Sequence, residues 1–212
     1  MNGQTLGSRK TRRSVSSSRI QKRNREAILA AALGVFAEAG YSGATLDRIA
    51  RAAGLSKPNL LYYFRSKDAI YTALLQGLLD TWLDPLRMLD PEGDPVEEIL
   101  GYVGRKLDLA RDYPLESRLF AYEILQGAPR IRAVLEQDLR CLVEERAGVI
   151  RGWVDRGRIA PVDPVHLIFS VWALTQHYAD FDVQVRAVLG ETDPFPGAEA
   201  HLRIVFERIL AT

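Results

Sequence analysis

Apolar residues recur along this chain at intervals of three and four, and no stretch alternates in steps of two for long enough to make a strand. The pattern predicts an all-α fold. A first helix is expected to start near Arg19 to Asn24 and run to Glu38, with Ile28, Leu29, Ala32, Leu33 and Phe36 on its inner face and Gly40 ending it. Next comes TLDRIARAAGLSKPNLLYYFRSK, from Thr45 to Lys67. Thr45 caps a short helix whose buried stripe is Leu46, Ile49, Ala50 and Ala53; Gly54 stops it, and Ser56 caps a second helix with Pro58 in its first turn. Leu60, Leu61 and Phe64 are assigned to the core side of that second helix, and Lys57, Asn59, Tyr62 and Tyr63 to its outer side.

Ser66 then opens a long helix with Ile70, Leu74, Leu75, Leu78, Leu79 and Trp82 as one apolar series, perturbed at Pro85 and ended by DPEGDP. Asp94, Pro95 and Glu97 start a helix lasting to about Arg111. Tyr113 and Pro114 lead into LESRLFAYEIL, closed by Gly127, and an amphipathic helix is expected from about Pro129 to Arg156, stopped at Gly157. Asp163 and Pro164 open the helix Val165 to Phe181, and a last helix ends at AEAHLRIVFERIL. The Val165 helix is apolar nearly all round in its first half, and the last helix carries Leu202, Ile204, Val205, Phe206, Ile209 and Leu210. Both present more apolar surface than one core contact uses, which predicts a homodimer built on these two helices, with Phe206 and Ile209 at the interface.

Composition sharpens this division. The 212 residues are 47% hydrophobic, enough for a sizeable core. A net charge of +1 conceals an asymmetry: residues 1–65 hold 12 Lys/Arg against 3 Asp/Glu, and residues 66–212 hold 16 against 24. Only the first third is built for a polyanion. Residues 1–19 are rich in Gly, Ser, Arg and Lys and are expected to be a disordered basic tail, with the cations from Arg9 to Arg25 available to phosphates. The divisions are therefore expected at 1–19 for the tail, 20–66 for a basic helical domain, and 67–212 for an acidic helical domain that carries the dimer helices. The single cysteine, Cys141, excludes an intrachain disulfide and is expected in the core. Neither a membrane-spanning run nor a signal peptide is legible, so a cytoplasmic location is expected.

The stretch from Thr45 to Lys67 fits two readings, an ordinary helical hairpin or a helix-turn-helix that enters the major groove of DNA. The segments GVFAEAGYSGATLDRIA and AAGLSKPNLLYYFRSKDAI resemble the amino-terminal domain of the TetR family of bacterial transcriptional repressors, over roughly residues 24–75. Many members carry Gly-Thr where Pro58 and Asn59 stand here, and Tyr in place of Leu61, so the operator sequence does not follow from the resemblance. On the DNA reading Lys57, Asn59 and Tyr62 face base edges, Thr45, Tyr63, Lys67 and the Arg9 to Arg25 tail hold phosphates of double-stranded operator DNA, and Ser56 at the helix start is counted with the DNA-binding residues.

In the second part, Trp172 and Gln176 lie one helical turn apart, an indole beside an amide, which suits a clamp on a planar polar ring; structural hydrogen bonds are the alternative use of such polar residues. The segments RDYPLESRLFAYEILQGAP and DPVHLIFSVWALTQHYADF resemble pyrimidine-responsive members of the same family. That resemblance implies a pyrimidine effector, uracil above all, held by Trp172 and Gln176 with Trp82, Phe120 and Tyr122 lining the site, and a regulator of pyrimidine breakdown. A different small planar or apolar ligand is the alternative. No cofactor, metal site or catalytic residue is expected: His166, His177 and His201 lack a second ligand at helical spacing, and Glu123 with His177 is the one acid–base pair an enzyme could use. An architectural DNA-binding protein without a ligand is a third reading.

Overall fold

The computed structural model describes residues 7–212, with side chains from residue 19 onward. The described residues are helical without a strand: α1 (Gly7–Gly43), α2 (Leu46–Ala52), α3 (Lys57–Tyr63), α4 (Lys67–Arg87), α5 (Pro95–Asp112), α6 (Pro114–Leu125), α7 (Arg132–Val134), α8 (Arg140–Asp155), α9 (Pro164–Asp180), α10 (Asp182–Leu189) and α11 (Pro194–Leu210). They form two compact units that divide between Leu74 and Leu75, within α4. The sequence places the division at the start of that helix. The difference arises because Ile70, Tyr71 and Leu74 of its first turns are buried in the first unit.

The backbone of α1 is helical from Gly7, earlier than the expected start, since lengthening a nucleated helix costs little. Residues 1–6 of the anticipated tail, and the side chains of 7–18, lie outside the described residues. Gly40 interrupts α1 with φ 65°, a left-handed conformation that leaves the short continuation to Gly43 on a new axis. The first unit's core gathers Ile28, Ala32 and Phe36 of α1, Ile49 and Ala50 of α2, Leu60 and Phe64 at α3, and Ile70 and Tyr71 of α4. Phe36 meets Tyr71 edge-on with 4.7 Å between ring centres, and Tyr41 meets the same tyrosine at 5.0 Å.

The second unit is arranged around α5, which packs against α9 and α11; α9 also touches α6, α8 and α10. Asp94 caps α5 by accepting from the backbone N–H groups of Val96 and Glu97 at 3.1 and 3.0 Å, as its spacing predicts. Burial on α5 falls on Ile99, Tyr102, Val103, Lys106, Leu107 and Ala110, a helical stripe containing one cation. The loop before α5 is tied down by Trp153, whose Nε1 donates to the Pro91 carbonyl at 2.9 Å, and by Arg158, which donates to the Gly93 carbonyl at 2.8 Å.

Several expectations are corrected here. The helix expected from Pro129 to Arg156 runs without a break from Arg132 to Asp155 but carries a π-helical turn at Leu135–Leu139, between α7 and α8. The wider turn shifts the apolar register between Ile131 and Val143, both of which are buried. The short helix α10 is unanticipated, because its sequence leaves Val183 and Val188 exposed and so lacks a core stripe. Cys141 is exposed: the buried positions of α8 are Val143, Ala147, Ile150 and Trp153, and position 141 falls off that line. Phe206 is fully buried with Leu202 and Leu210 in the unit's own core, which removes it from the predicted interface. The apolar surface left over is Phe169 and Leu174 on α9 and Ile204 and Ile209 on α11.

Candidate functional site

Two sites are built, one in each unit. In the first, α2 ends in a turn where the N–H groups of Gly54 and Leu55 donate to the carbonyls of Arg51 and Ala50 at 3.1 and 2.9 Å. Gly54 has φ 67°, so the left-handed residue this closure needs is supplied without a Cβ penalty. Thr45 caps α2 by accepting from Arg48 N at 3.2 Å, and Ser56 caps α3 by accepting from Asn59 N at 3.3 Å. Leu60 and Phe64, one turn apart, anchor α3 to the core, and the Arg25 guanidinium lies 4.3 Å from the Phe64 ring centre.

That anchoring fixes the outward face. Lys57, Pro58, Asn59, Leu61 and Tyr62 are all exposed. Leu61, expected inside, is 38% exposed, because a residue one step from Leu60 is turned about 100° away from the buried line. Its isobutyl group joins the outer face and suits contact with a thymine methyl. Lys57 forms an ion pair with Asp47 at 2.8 Å, a solvent-facing contact weak enough to be exchanged for another partner. Tyr62 accepts from Gln21 at 3.3 Å, and Tyr63 accepts from Asn24 at 2.7 Å, so α1 positions both phenols. Lys67 stands apart. Its ammonium donates to the carbonyls of Tyr41 and Ala44 at 2.7 and 2.9 Å and lies 4.3 Å from the Tyr41 ring centre, which gives it an internal tie that its sequence position does not disclose.

In the second unit Trp82, Phe120, Tyr122, Trp172 and Gln176 all line one cavity of about 630 Å³. The volume lies within the range of small-molecule sites. Trp172, Gln176 and Asp180 succeed one another at single turns along α9 and form one face. The indole N–H of Trp172 donates to the Tyr102 hydroxyl at 2.6 Å, which locks the ring and leaves its face as the surface it offers. Burial pushes the Tyr102 hydroxyl's pKa upward, so that phenol stays neutral. The Gln176 side chain makes no hydrogen bond to protein among the described residues, so its amide is not consumed by structure. Leu79, Leu83, Leu135 and Leu139 make much of the remaining wall, two of them from the π-helical turn.

Lys106 also lines this cavity and escapes the sequence reading. It is 2% exposed, and burial pulls its pKa from 10.5 down to about 7, opposed by the Asp180 charge. The signal is present in the sequence: Lys106 continues the Tyr102–Val103 stripe at helical spacing, where a cation is costly. Asp180 is shifted upward by burial, with the Ser117 hydroxyl donating to it at 2.5 Å and the charges of Lys106 and Arg118 opposing the shift. Glu123 and His177 do not form an acid–base pair. The Glu123 carboxylate accepts from the backbone N–H and the guanidinium of Arg130 at 2.9 and 3.2 Å, while His177 is exposed and stacks on Phe181.

Comparison with known proteins identifies the family. Residues 28–74 match the family described as bacterial regulatory proteins, tetR family, and residues 75–209 match the C-terminal region of YcdC-like proteins. The HTH-type transcriptional regulator RutR of Escherichia coli strain K12 is 50% identical over 175 residues, 82% of each chain. The HTH-type transcriptional repressor NicS of Pseudomonas putida is 27% identical over 141 residues, 64% of each chain. Among solved structures, the regulator SCO4942 of Streptomyces coelicolor aligns with a TM-score of 0.67 at 28% identity, covering 88% of this chain and 98% of that one. The fatty acid degradation regulator FadR of Bacillus halodurans shares the fold, with a TM-score of 0.62 at 24% identity over 88% of this chain and 94% of its own. These matches are transcriptional regulators and not enzymes, and this chain belongs to the TetR family of helix-turn-helix DNA-binding regulators.

Proposed function

We propose that the chain is a homodimeric repressor released from its operator by a pyrimidine base such as uracil, and that it controls pyrimidine breakdown and related nitrogen metabolism. The observation that carries the effector is the face of α9, where an indole and an uncommitted side-chain amide meet in a cavity walled mostly by apolar residues. Uracil is flat, uncharged and edged with carbonyl and N–H groups, so an aromatic ring covers its face while Gln176 pairs with its edge. The half-identity to RutR across most of both chains supports the same reading. On the DNA side Lys57, Asn59, Leu61 and Tyr62 read base edges, and Thr45, Tyr63 and the cations of α1 hold phosphates. Dimerisation through the exposed residues Phe169, Leu174, Ile204 and Ile209 supplies two reading heads for two half-sites.

In this account the effector changes the spacing of the two reading heads, so that a dimer fitted to half-sites about 34 to 36 Å apart per turn of DNA loses one of them. Calorimetry of the full chain against a panel of nucleobases tests the effector. Saturable one-to-one binding of uracil per protomer is expected, with Gln176→Leu weakened by about 5- to 150-fold because a ring edge is left unpaired. Absence of uracil binding, or equal binding by Gln176→Leu, overturns the assignment.

A further inference from the structure

The cavity holds two ionisable groups whose hydrogen-bonding capacity is unused. Lys106 is buried, and its Nζ makes one hydrogen bond among the described residues, a long one to the Trp82 carbonyl at 3.4 Å. An ammonium carries three donors, and a buried cation with unmet donors is costly unless something enters to meet them. The Trp82 ring centre lies 5.6 Å away, a single cation–π contact that supplies no hydrogen-bond acceptor for the remaining N–H groups. Asp180, half-buried on α9, has Oδ1 taken by the Ser117 hydroxyl, and Oδ2 has no hydrogen bond among the described residues. No ion pair joins Lys106 to Asp180, although both line the same space. A donor and an acceptor therefore face one cavity without satisfying each other.

We infer that Lys106 and Asp180 read the effector's edge, Lys106 Nζ donating to a ring carbonyl and Asp180 Oδ2 accepting from a ring N–H, so that the ligand class is an uncharged planar cyclic imide or lactam. This rests on the pyrimidine reading of the same site and names the chemistry within it. Charge balance favours the neutral class, because an anion meets Asp180 and a cation meets Lys106. Arg118, the other cation of the lining, is largely exposed and lies 4.0 Å from Asp182, so it does not tip the interior toward anions. Trp172, Gln176 and Asp180 at successive turns span a ring's face and edge, and aromatic and leucine side chains make much of the surrounding wall. Burial drives the lysine toward its neutral form and the aspartate toward its protonated form. A ligand that hydrogen-bonds to the charged forms reverses both tendencies, which makes binding take up a proton on Lys106 above neutral pH.

Calorimetry on the full chain with uracil, succinimide, 1,3-dimethyluracil and orotate tests this. Uracil and succinimide are expected to bind. 1,3-Dimethyluracil, the same ring without an N–H, is expected to be about 5- to 150-fold weaker, and orotate, which adds a carboxylate, to be weakened as well. Lys106→Met and Asp180→Leu should each lose a similar factor for uracil, while Lys106→Gln, which retains a donor, recovers part of it. At pH 8 the observed enthalpy should depend on the buffer's ionisation enthalpy for the wild type and not for Lys106→Met, a readout that a merely structural lysine would not move. If uracil binds and both apolar variants bind it equally well, the pyrimidine reading stands and this inference falls. If succinimide binds and uracil does not, the pyrimidine reading falls and this inference stands. Binding of 1,3-dimethyluracil as tightly as uracil overturns the inference, and binding by no ring imide overturns both.

Discussion

The two units solve opposite problems with the same helical material. The reading unit keeps a small core under two helices of seven residues each and leaves its polar groups on the outside, where caps and local ties set their direction. The effector unit keeps polar groups inside, around a cavity whose walls are leucine and aromatic rings. In the first, an unmet hydrogen-bonding group costs little because water reaches it. In the second, an unmet group such as the Lys106 ammonium is expensive, which is why the inferred contact with the effector rests on it. On the proposed reading, specificity for DNA is written on exposed residues that contribute little to stability, and specificity for the effector on cavity residues, of which the buried Lys106 reduces stability.

Substitutions divide along this line. The largest effect is expected at Phe206, where truncation to Ala removes a fully buried ring and costs about 3–5 kcal/mol of stability by denaturant unfolding. Ile204→Glu with Phe169→Glu should instead leave the melting transition cooperative and reduce the mass seen by analytical ultracentrifugation to that of a monomer. An unchanged dimer mass would place the interface elsewhere. Next is Lys106→Met, whose sign follows from linkage. The folded lysine loses its proton near pH 7 and the unfolded one near 10.5, so between those values the unfolded chain holds more protons and stability rises with pH. Asp180 on α9 is the charge that opposes burial at Lys106; Arg118 on α6 lines the same cavity and acts on Asp180. The variant should melt higher at pH 7 and lose the alkaline rise, measured by thermal denaturation across pH.

Smaller effects belong to the reading unit. Lys67→Ala leaves the Tyr41 and Ala44 carbonyls without their ammonium and is expected to cost roughly 1–3 kcal/mol of stability, with operator and nonspecific affinity weakened together. Asn59→Ala should leave stability within about 0.5 kcal/mol and change base preference by about 1–3 kcal/mol at one position, read by binding across an operator library.

What the sequence discloses follows the range of the forces involved. The turn at Gly54, the caps at Thr45, Ser56, Asp94 and Asp163 and the Trp172–Gln176 spacing are local features, legible from a few neighbouring residues. Trp82, Phe120 and Tyr122 enter the site through family resemblance, since nothing within their own helices marks them. Leu61, Lys67 and Phe206 are misplaced for a common reason: each has its environment set by an element distant in sequence. The outward turn of Leu61 needs the core beneath Leu60, the tie of Lys67 needs the Tyr41 turn, and the burial of Phe206 needs α5. Lys106 was within reach, because a lysine in phase with Tyr102 and Val103 is already an anomaly on an apolar stripe.

The central claim is that occupancy of the cavity governs operator affinity, and fluorescence anisotropy of a labelled operator tests it most directly, with uracil titrated into the preformed complex. By linkage, the ligand that releases DNA must bind more weakly to the DNA-bound dimer. Saturating uracil is expected to weaken operator binding by about 5- to 150-fold, a coupling of roughly 1–3 kcal/mol, and Gln176→Leu is expected to need far more uracil for the same release. An operator affinity unchanged at uracil concentrations that saturate the cavity by calorimetry would contradict the account.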